Sequence, residues 1–229
     1  MQVHVWSDFA CPYCYIGQHN LHQALASLTP AEQGHIEVVH RSFELAPEAE
    51  VNNPQSKYEQ LSEKYGVTIE RAQAMARQAM SMAESVGLRM DYDKVIMTNT
   101  FAAHQLAHLA AAEGKGDAMQ TALFEAHFVE GRHIGDPAVL HTLAAAQGLA
   151  VDQVATALAT QAYAAAVRED EAMAQRLQIS GVPFVVLANR YGVSGAQSAE
   201  YFADALRQAL AEDHAAALPA ADAGGRCSI

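Results

Sequence analysis

Strand-forming patterns occur only near the two ends of this chain, and a helical stretch of about 120 residues separates them. Gln2 to Ser7 alternates apolar and polar side chains as a half-buried strand does. His35 to Phe43, with Ile36, Val38 and Val39, reads as a second strand. Between them Pro12 to about Leu28 is helical, stopped near Thr29-Pro30 because Pro30 disfavours helical geometry in the residue before it. This order opens a parallel β-α-β unit. Strand character returns only at Phe184 to Leu187 and Tyr191 to Val193, joined by a tight turn at Asn189-Arg190, and a last helix covers about Ser198 to Glu212. The first two strands alone cannot bury both faces of a sheet, so the two ends must assemble. The expectation is an α/β domain, residues 1–48 and 179–212, with an all-helical domain, 49–178, inserted into it and a flexible tail at 213–229.

Within the insert, Ile69, Ala72, Met75, Ala76, Ala79, Met80, Ala83 and Val86 recur at three- and four-residue spacing, with Gly87 as a C-terminal stop. Asn99 to Gly114 and Asp117 to about Val129 continue the helical pattern. Asp136 followed by Pro137 is a helix start, and that helix should run to Gln147 before Gly148. Asp152 to Thr160 and Tyr163 to Gln178 complete the block, with Gly148 and Gly181 as possible hinges or mere caps. With 229 residues, 51% of them hydrophobic and 17% charged, the chain has material for one large core or two small ones. A formal charge of −12 argues against a nucleic-acid or anionic-membrane partner, both of which require a basic footprint. No run approaches the roughly 18 apolar residues of a membrane span. Met1 leads within a residue into the first strand without the pattern of a secretory signal, so the expected location is cytoplasmic.

Cys11-Pro12-Tyr13-Cys14 stands where the first strand hands over to the first helix. Residues i and i+3 on a helix are neighbours, so their sulfurs can close a short ring without rearranging the fold. At the helix start, unpaired N–H groups and the positive end of the helix dipole favour a Cys11 thiolate, lowering its pKa below the free value of roughly 8.5. Cys14, one turn in, is shielded and placed to resolve a mixed disulfide, while Pro12 suits the first turn because it has no N–H to orphan. The pair could instead be half of a zinc site, but the chain offers only one further cysteine, Cys227, plus His19 and His22 nearby. An inert pair is the third reading. Cytosolic thiols are kept reduced, so redox catalysis leads. Near the other end, Ile179-Ser180-Gly181-Val182-Pro183-Phe184 precedes the third strand, where a proline fits only at the first position. The Val182-Pro183 bond is either an ordinary trans start or a cis turn facing the helix N-terminus, with the Val182 backbone free to pair with an extended substrate.

Taken together, these segments resemble the DsbA-like branch of the thioredoxin superfamily, and specifically FrnE-type proteins, which are related to 2-hydroxychromene-2-carboxylate isomerases and kappa-class glutathione transferases. The resemblance is carried by Asp8 to Gly17, Arg41 to Pro47, Asn99 to His104, Leu123 to Phe128, Gly181 to Phe184 and Ser194 to Gln197, and covers roughly residues 1–212. It implies a thioredoxin fold with a helical insert, Cys11 as nucleophile, Cys14 as resolving thiol and Pro183 in cis against the pair. The related isomerases and transferases typically carry serine at the first cysteine's place and bind glutathione between their domains. Both thiols are kept here, which favours thiol–disulfide exchange. Tyr13 replaces the histidine usual between the cysteines of DsbA proper and supplies no cation, so a less extreme oxidant is expected.

The expected activity is therefore a protein disulfide oxidoreductase or isomerase acting on thiols or disulfides of proteins or small molecules. Pro12, Tyr13 and Val182 would contact substrate, and the resemblance adds Asn99 and His104 on the helix facing the cleft, with a satisfied helix histidine as the other reading of His104. No cofactor is expected to be tightly bound; glutathione or thioredoxin would serve as redox partner, and monomer and homodimer stay open. A glutathione-dependent isomerase or transferase on a small aromatic or polyketide-like molecule is one alternative, and a peptide-binding, chaperone-like module is another. His104 and His108 share a helical face but lack a further ligand at zinc spacing, and no metal is expected. His127 and His133 read as surface or interdomain residues. Met75, Met80, Met82, Met90 and Met97 read either as core or as a pliable groove for unfolded peptide. Asp8 reads either as a helix cap or as a group that tunes the nearby thiols, where its negative charge would raise a cysteine pKa, and Cys227 as a mobile, non-catalytic thiol.

Overall fold

The computed structural model describes residues 1–217, with side chains to residue 213. Cys227 and the remainder of the expected tail lie outside these. Four strands, β1 (Gln2–Ser7), β2 (Glu37–Ser42), β3 (Phe184–Leu187) and β4 (Tyr191–Ser194), form one sheet in the order β2-β1-β3-β4. β1 pairs parallel with β2 and antiparallel with β3, which pairs antiparallel with β4. The register places Val5 opposite both His40 and Val185, so residues from the two ends of the sequence share one ladder.

The period of two along the strands sorts side chains onto two faces. Val3 and Val5 with Val185 and Leu187 meet Leu21 and Ala24 of α1 (Pro12–Ala26) and Phe202 and Leu206 of α10 (Ala199–Ala217). On the opposite face Trp6, fully buried, packs with Ala174 of α9 (Ala164–Arg176) and with Ile179, and its indole N–H donates to the Asp170 carbonyl at 3.0 Å. Burying an indole that way leaves no polar atom unpaired. Asp170 itself is buried and ties α9 to β2, accepting from Arg41 Nη1 and the Ser42 N–H, each at 2.9 Å.

Between β2 and β3 run α3 (Lys57–Tyr65), α4 (Ile69–Ser85), α5 (Phe101–Ala112), α6 (Gly116–Glu125), a π-helical turn (Ala126–Glu130), α7 (Pro137–Ala146), α8 (Val151–Ala159) and α9. Their boundaries follow local chemistry. Ser56 and Glu59 form a reciprocal capping box for α3, which ends on left-handed Gly66; Thr68 then caps α4, and the Asp136 carboxylate accepts from the Ala138 N–H at the start of α7. The short helix α3 thus precedes the helix that carries the Ile69 to Val86 periodicity. A short helix, α2 (Pro30–Gln33), also appears where a stop was expected: Pro30 ends α1 and then occupies the first position of α2 behind the Thr29–Glu32 capping box. The last helix runs on to Ala217, so residues 214–217 belong to it and not to a tail.

The largest core gathers on Phe124, Phe128, Leu106, Leu109, Met119 and Leu123 of the inserted helices, and Phe9, Cys11, Cys14 and Tyr15 are part of it. Tyr15 stacks on both Phe124 and Phe128, with ring centroids 5.5 and 5.9 Å apart. Burying each such ring contributes about 2 kcal/mol, and these contacts fasten the first turns of α1 to the insert. The two cysteines therefore sit on the seam between the sheet layer and the inserted helices.

Candidate active site

Cys11 is the N-cap residue of α1, with Pro12 at the first helical position. The Cys14 N–H donates to the Cys11 carbonyl at 3.0 Å, which sets both thiols on one turn, and both are free. Their environments push them apart. A hydrogen bond from the Cys14 thiol, helped by the backbone N–H groups of Cys14 and Tyr13, holds the Cys11 pKa below the ordinary thiol value against the opposing effects of burial and the Asp8 charge. Cys14 is held well above the ordinary value, first by burial and then by the hydrogen bond to Cys11 and that sulfur's charge. Cys11 is thus the more acidic of the two thiols and Cys14 the less.

Across from the pair the Val182–Pro183 peptide is cis, and the Cys11 thiol lies 3.6 Å from the Val182 carbonyl oxygen. Gly17 makes this approach possible: a methyl group there would come within 3.0 Å of Pro183 Cγ. The Gly195 N–H donates to the Pro183 carbonyl at 2.9 Å, holding the loop to the end of β4.

Cys11, Pro12 and Tyr13 open onto a cavity of about 580 Å³ whose far wall comes from α3 and α4. Its lining is mostly apolar, including Leu61, Tyr65, Met75 and Met97, with Lys64 and Arg71 among the few charges. Of the methionines considered as a groove, only Met75 and Met97 line this cavity; Met80 and Met90 line a separate one away from the thiols. The wall was not foreseen because Leu61, Tyr65 and Ala79 lie 50 or more residues beyond Cys11 in the sequence, and nothing local to the dithiol points to them.

Asp8, read as a helix cap or as a tuner of the thiols, is a fully buried junction whose charge pushes the pKa of both cysteines upward. Its carboxylate accepts from the Leu45 N–H at 2.7 Å, Thr100 Oγ1 at 2.9 Å and the Ala10 N–H at 3.1 Å, while α1 begins on Cys11 with no side-chain cap. Burial alone would raise its pKa, but His104 and the backbone N–H groups of Leu45 and Ala10 outweigh that and hold it below the ordinary carboxylate range. His104 does not face the cleft. It is 2% exposed, packs on Phe9 with ring centroids 4.8 Å apart, and points Nε2 at Asp8 Oδ1, 3.6 Å away. Asn99 is likewise turned to the loop after β2, donating to the Pro47 carbonyl at 3.0 Å and accepting from the Phe101 N–H at 2.9 Å. His108 diverges from His104 toward Ser42 and Asp170, both at 3.1 Å. Among the described residues, no group of three or more His, Cys, Asp or Glu side chains is arranged to hold a metal ion.

His127, expected at the surface or between domains, is 1% exposed and packs edge-on against Phe128, with centroids 4.6 Å apart. The signal was present in the spacing: His127 follows Leu123 by four and Phe124 by three, on the stripe that α6 buries. Its polarity concealed that position.

Comparison with known proteins gives a consistent result. The family model described as DSBA-like thioredoxin domain matches residues 2–207. A crystal structure of a probable DsbA oxidoreductase from Streptomyces coelicolor is 40% identical, with 100% of this chain and 99% of that one covered and a TM-score of 0.87. An uncharacterized Bacillus subtilis protein, YwbO, is 27% identical over 215 residues, covering 90% of this chain and 96% of its own length. The cytosolic disulfide reductase DsbM of Pseudomonas aeruginosa shares the fold at a TM-score of 0.64 and 18% identity, over 95% of this chain and all of its own. DsbM has also been solved with GSH.

Proposed function

The chain belongs to the DSBA-like thioredoxin domain family, and on that premise we propose that it is a thiol–disulfide oxidoreductase using Cys11 as nucleophile and Cys14 as resolving thiol. The observation that carries this reading is the unequal ionisation of two thiols on one helical turn, the more acidic of which borders an apolar cavity.

In the reductive direction the Cys11 thiolate attacks a substrate disulfide, the substrate S–S bond breaks, and one substrate sulfur leaves as a thiolate. A mixed disulfide now joins Cys11 to the other half. Cys14 then attacks Cys11 Sγ, giving up its proton, and the second substrate thiolate departs as the Cys11–Cys14 bond forms. Two electrons have passed from the pair to the substrate. Val182, beside the cis peptide, offers its backbone to an extended segment flanking the substrate sulfur, and Pro12 and Tyr13 border the same approach. A small thiol such as glutathione regenerates the reduced pair, as its presence in a DsbM structure suggests by analogy, and a cytoplasmic setting goes with this chemistry.

Reduction of insulin disulfides tests the assignment. Cys11→Ser should lose turnover and Cys14→Ser should accumulate a mixed disulfide with substrate. Full activity in Cys11→Ser would overturn the reading, and tight glutathione binding with activity that survives loss of Cys14 would move the protein to the isomerase class. Titrating the dithiol against a glutathione redox buffer then fixes the working direction.

A further inference from the structure

We propose that the cavity beside Cys11 binds a small organic disulfide with an apolar body and an acid group: Tyr92 donates a hydrogen bond to the body at the cavity floor, and Lys64 and Arg71 pair with the acid at the rim. The proposal rests on the oxidoreductase reading and adds the class of substrate that Cys11 meets there.

Burial divides the cavity wall into a floor and a rim. Ala76, Ala79 and Tyr92 are each no more than 3% exposed and Cys11 is 5% exposed, whereas Lys64 and Arg71 stand in solvent. α4 buries alanines at 72, 76, 79 and 83, and the two that reach the cavity leave open a space that longer side chains would fill. The resulting volume of about 580 Å³ lies within the roughly 300–1,000 Å³ of small-ligand sites. The wall is all helix and loop and does not include Val182, so an extended polypeptide finds no backbone ladder in it. A compact organic molecule fits it better.

Tyr92 gives the floor its polar anchor. Its ring packs against Tyr58 and Phe128, with centroids 6.4 and 6.5 Å away. The hydroxyl makes no hydrogen bond to any described residue, yet it is not sealed in as both ring nitrogens of His127 are. It therefore opens on the cavity that Tyr92 lines. A ligand that fills the cavity must bring an acceptor to this point or leave the donor unpaired. Burial, with the charges of Tyr65, Tyr58 and Cys11 acting the same way, holds the phenol far above its ordinary pKa, so Tyr92 remains a donor while Cys11 is a thiolate.

The rim selects for charge. Lys64 lies over the Tyr65 ring, 5.7 Å from its centroid, and neither Lys64 nor Arg71 pairs with a carboxylate among the described residues. The single acid of the wall, Glu63, accepts from Gln55 Nε2 at 3.3 Å. Two cations against one acid make this a locally positive mouth on a chain of net charge −12, and an anion is drawn there in preference to the surrounding surface. With the ligand so held, the Cys11 thiolate attacks one of its sulfurs. A Cys11–S bond forms, the ligand S–S bond breaks, and the other half leaves as a thiolate with the bonding pair.

Three reagents test the assignment through the rate of their first reaction with Cys11, each divided by the rate with 2-mercaptoethanol. 5,5′-Dithiobis(2-nitrobenzoate) is an aromatic acid, 4,4′-dithiodipyridine is an uncharged aromatic disulfide, and methyl methanethiosulfonate is too small to reach across the cavity. The parent should favour the acid over the uncharged aromatic by about tenfold, and Lys64→Gln with Arg71→Gln should erase most of that preference. Tyr92→Phe should slow both aromatic reagents by about tenfold relative to methyl methanethiosulfonate, the usual worth of one hydrogen bond. The rim substitutions are at exposed positions and Tyr92→Phe removes one unpartnered atom, so either half of the test stands if the other variant fails to fold. A parent without preference for the acid, a preference that persists in the double variant, or parental rate ratios in Tyr92→Phe would overturn the proposal and leave the oxidoreductase reading intact. A Cys11 no faster than 2-mercaptoethanol toward methyl methanethiosulfonate would overturn that reading as well.

Discussion

Replacing His127 with leucine should make the protein less sensitive to mild acid, and the size of the effect follows from burial. The interior lowers the His127 pKa from 6.5 to about 4, chiefly by desolvation, with His133 pushing the same way and Asp8 opposing. In the unfolded chain the imidazole takes up a proton as pH falls through the ordinary value, whereas in the folded protein it stays neutral until about 4. Between those limits the unfolded state binds more protons, so stability present above the unfolded pKa is lost as pH falls toward the folded one. Moving from about pH 7.5 to pH 5 spans about 1.4 pKa units of that difference, or about 2 kcal/mol for this one group. The other titrating groups, among them His4, whose pKa is also lowered, contribute equally to parent and variant. Equilibrium urea unfolding at the two pH values, for parent and His127→Leu, isolates the contribution as a double difference. The parent should lose about 2 kcal/mol more than the variant with unchanged m-values. At neutral pH the variant should be no less stable, because leucine fills the site without two unpaired nitrogens. Equal acid losses in the two proteins would refute the argument and mean that His127 meets solvent or a charged partner in solution.

Three further outcomes follow from the geometry. Gly17→Ala should cost about 1–3 kcal/mol and slow Cys11 alkylation and turnover, since the added methyl meets Pro183 Cγ at 3.0 Å and must push the cis loop from the thiol; thermal melts and iodoacetamide kinetics check both. Asp170→Ala should destabilise by about 3–5 kcal/mol, because it strips a buried carboxylate from Arg41, His108 and the Ser42 N–H. The carboxyl's pKa is lowered, chiefly by His108 and Ser42 against burial, so the parent's advantage over this variant should hold above pH 4 and shrink as acid protonates the group. Ala79→Trp should fill the cavity and reduce kcat/KM for bulky aromatic disulfides more than tenfold, with Cys11 alkylation by iodoacetamide unchanged; equal losses for large and small reagents would show that the cavity is not the approach route.

How much was legible in the sequence varies with the range of the forces involved. The approximate strand limits, the capped start of α7, and the placement of the dithiol at the first turn of a helix all arise from interactions within a few residues, and each was readable. The resemblance located Pro183 opposite the pair, although the two lie more than 160 residues apart. Of the paired readings, Asp8 as a cap and His104 as a cleft residue give way to a buried Asp8 whose charge acts on both thiols and a His104 enclosed against Phe9, and His127 lies in the interior against Phe128 and not at the surface. The surface and local readings treated a polar side chain as solvent-seeking or locally bonded, which tertiary packing overrides.

The sequence by itself determined the strand and helix periods, the acidic charge and a pair of thiols one turn apart, because propensity, alternation and i to i+3 spacing act along the chain. Only the tertiary structure decided which thiol ionises, which apolar wall from α3 and α4 it faces, and which polar groups lie behind it. Those properties depend on desolvation and on hydrogen bonds between residues far apart in the chain, and a pKa, a cavity or an enclosed imidazole exists only once the layers have closed around it.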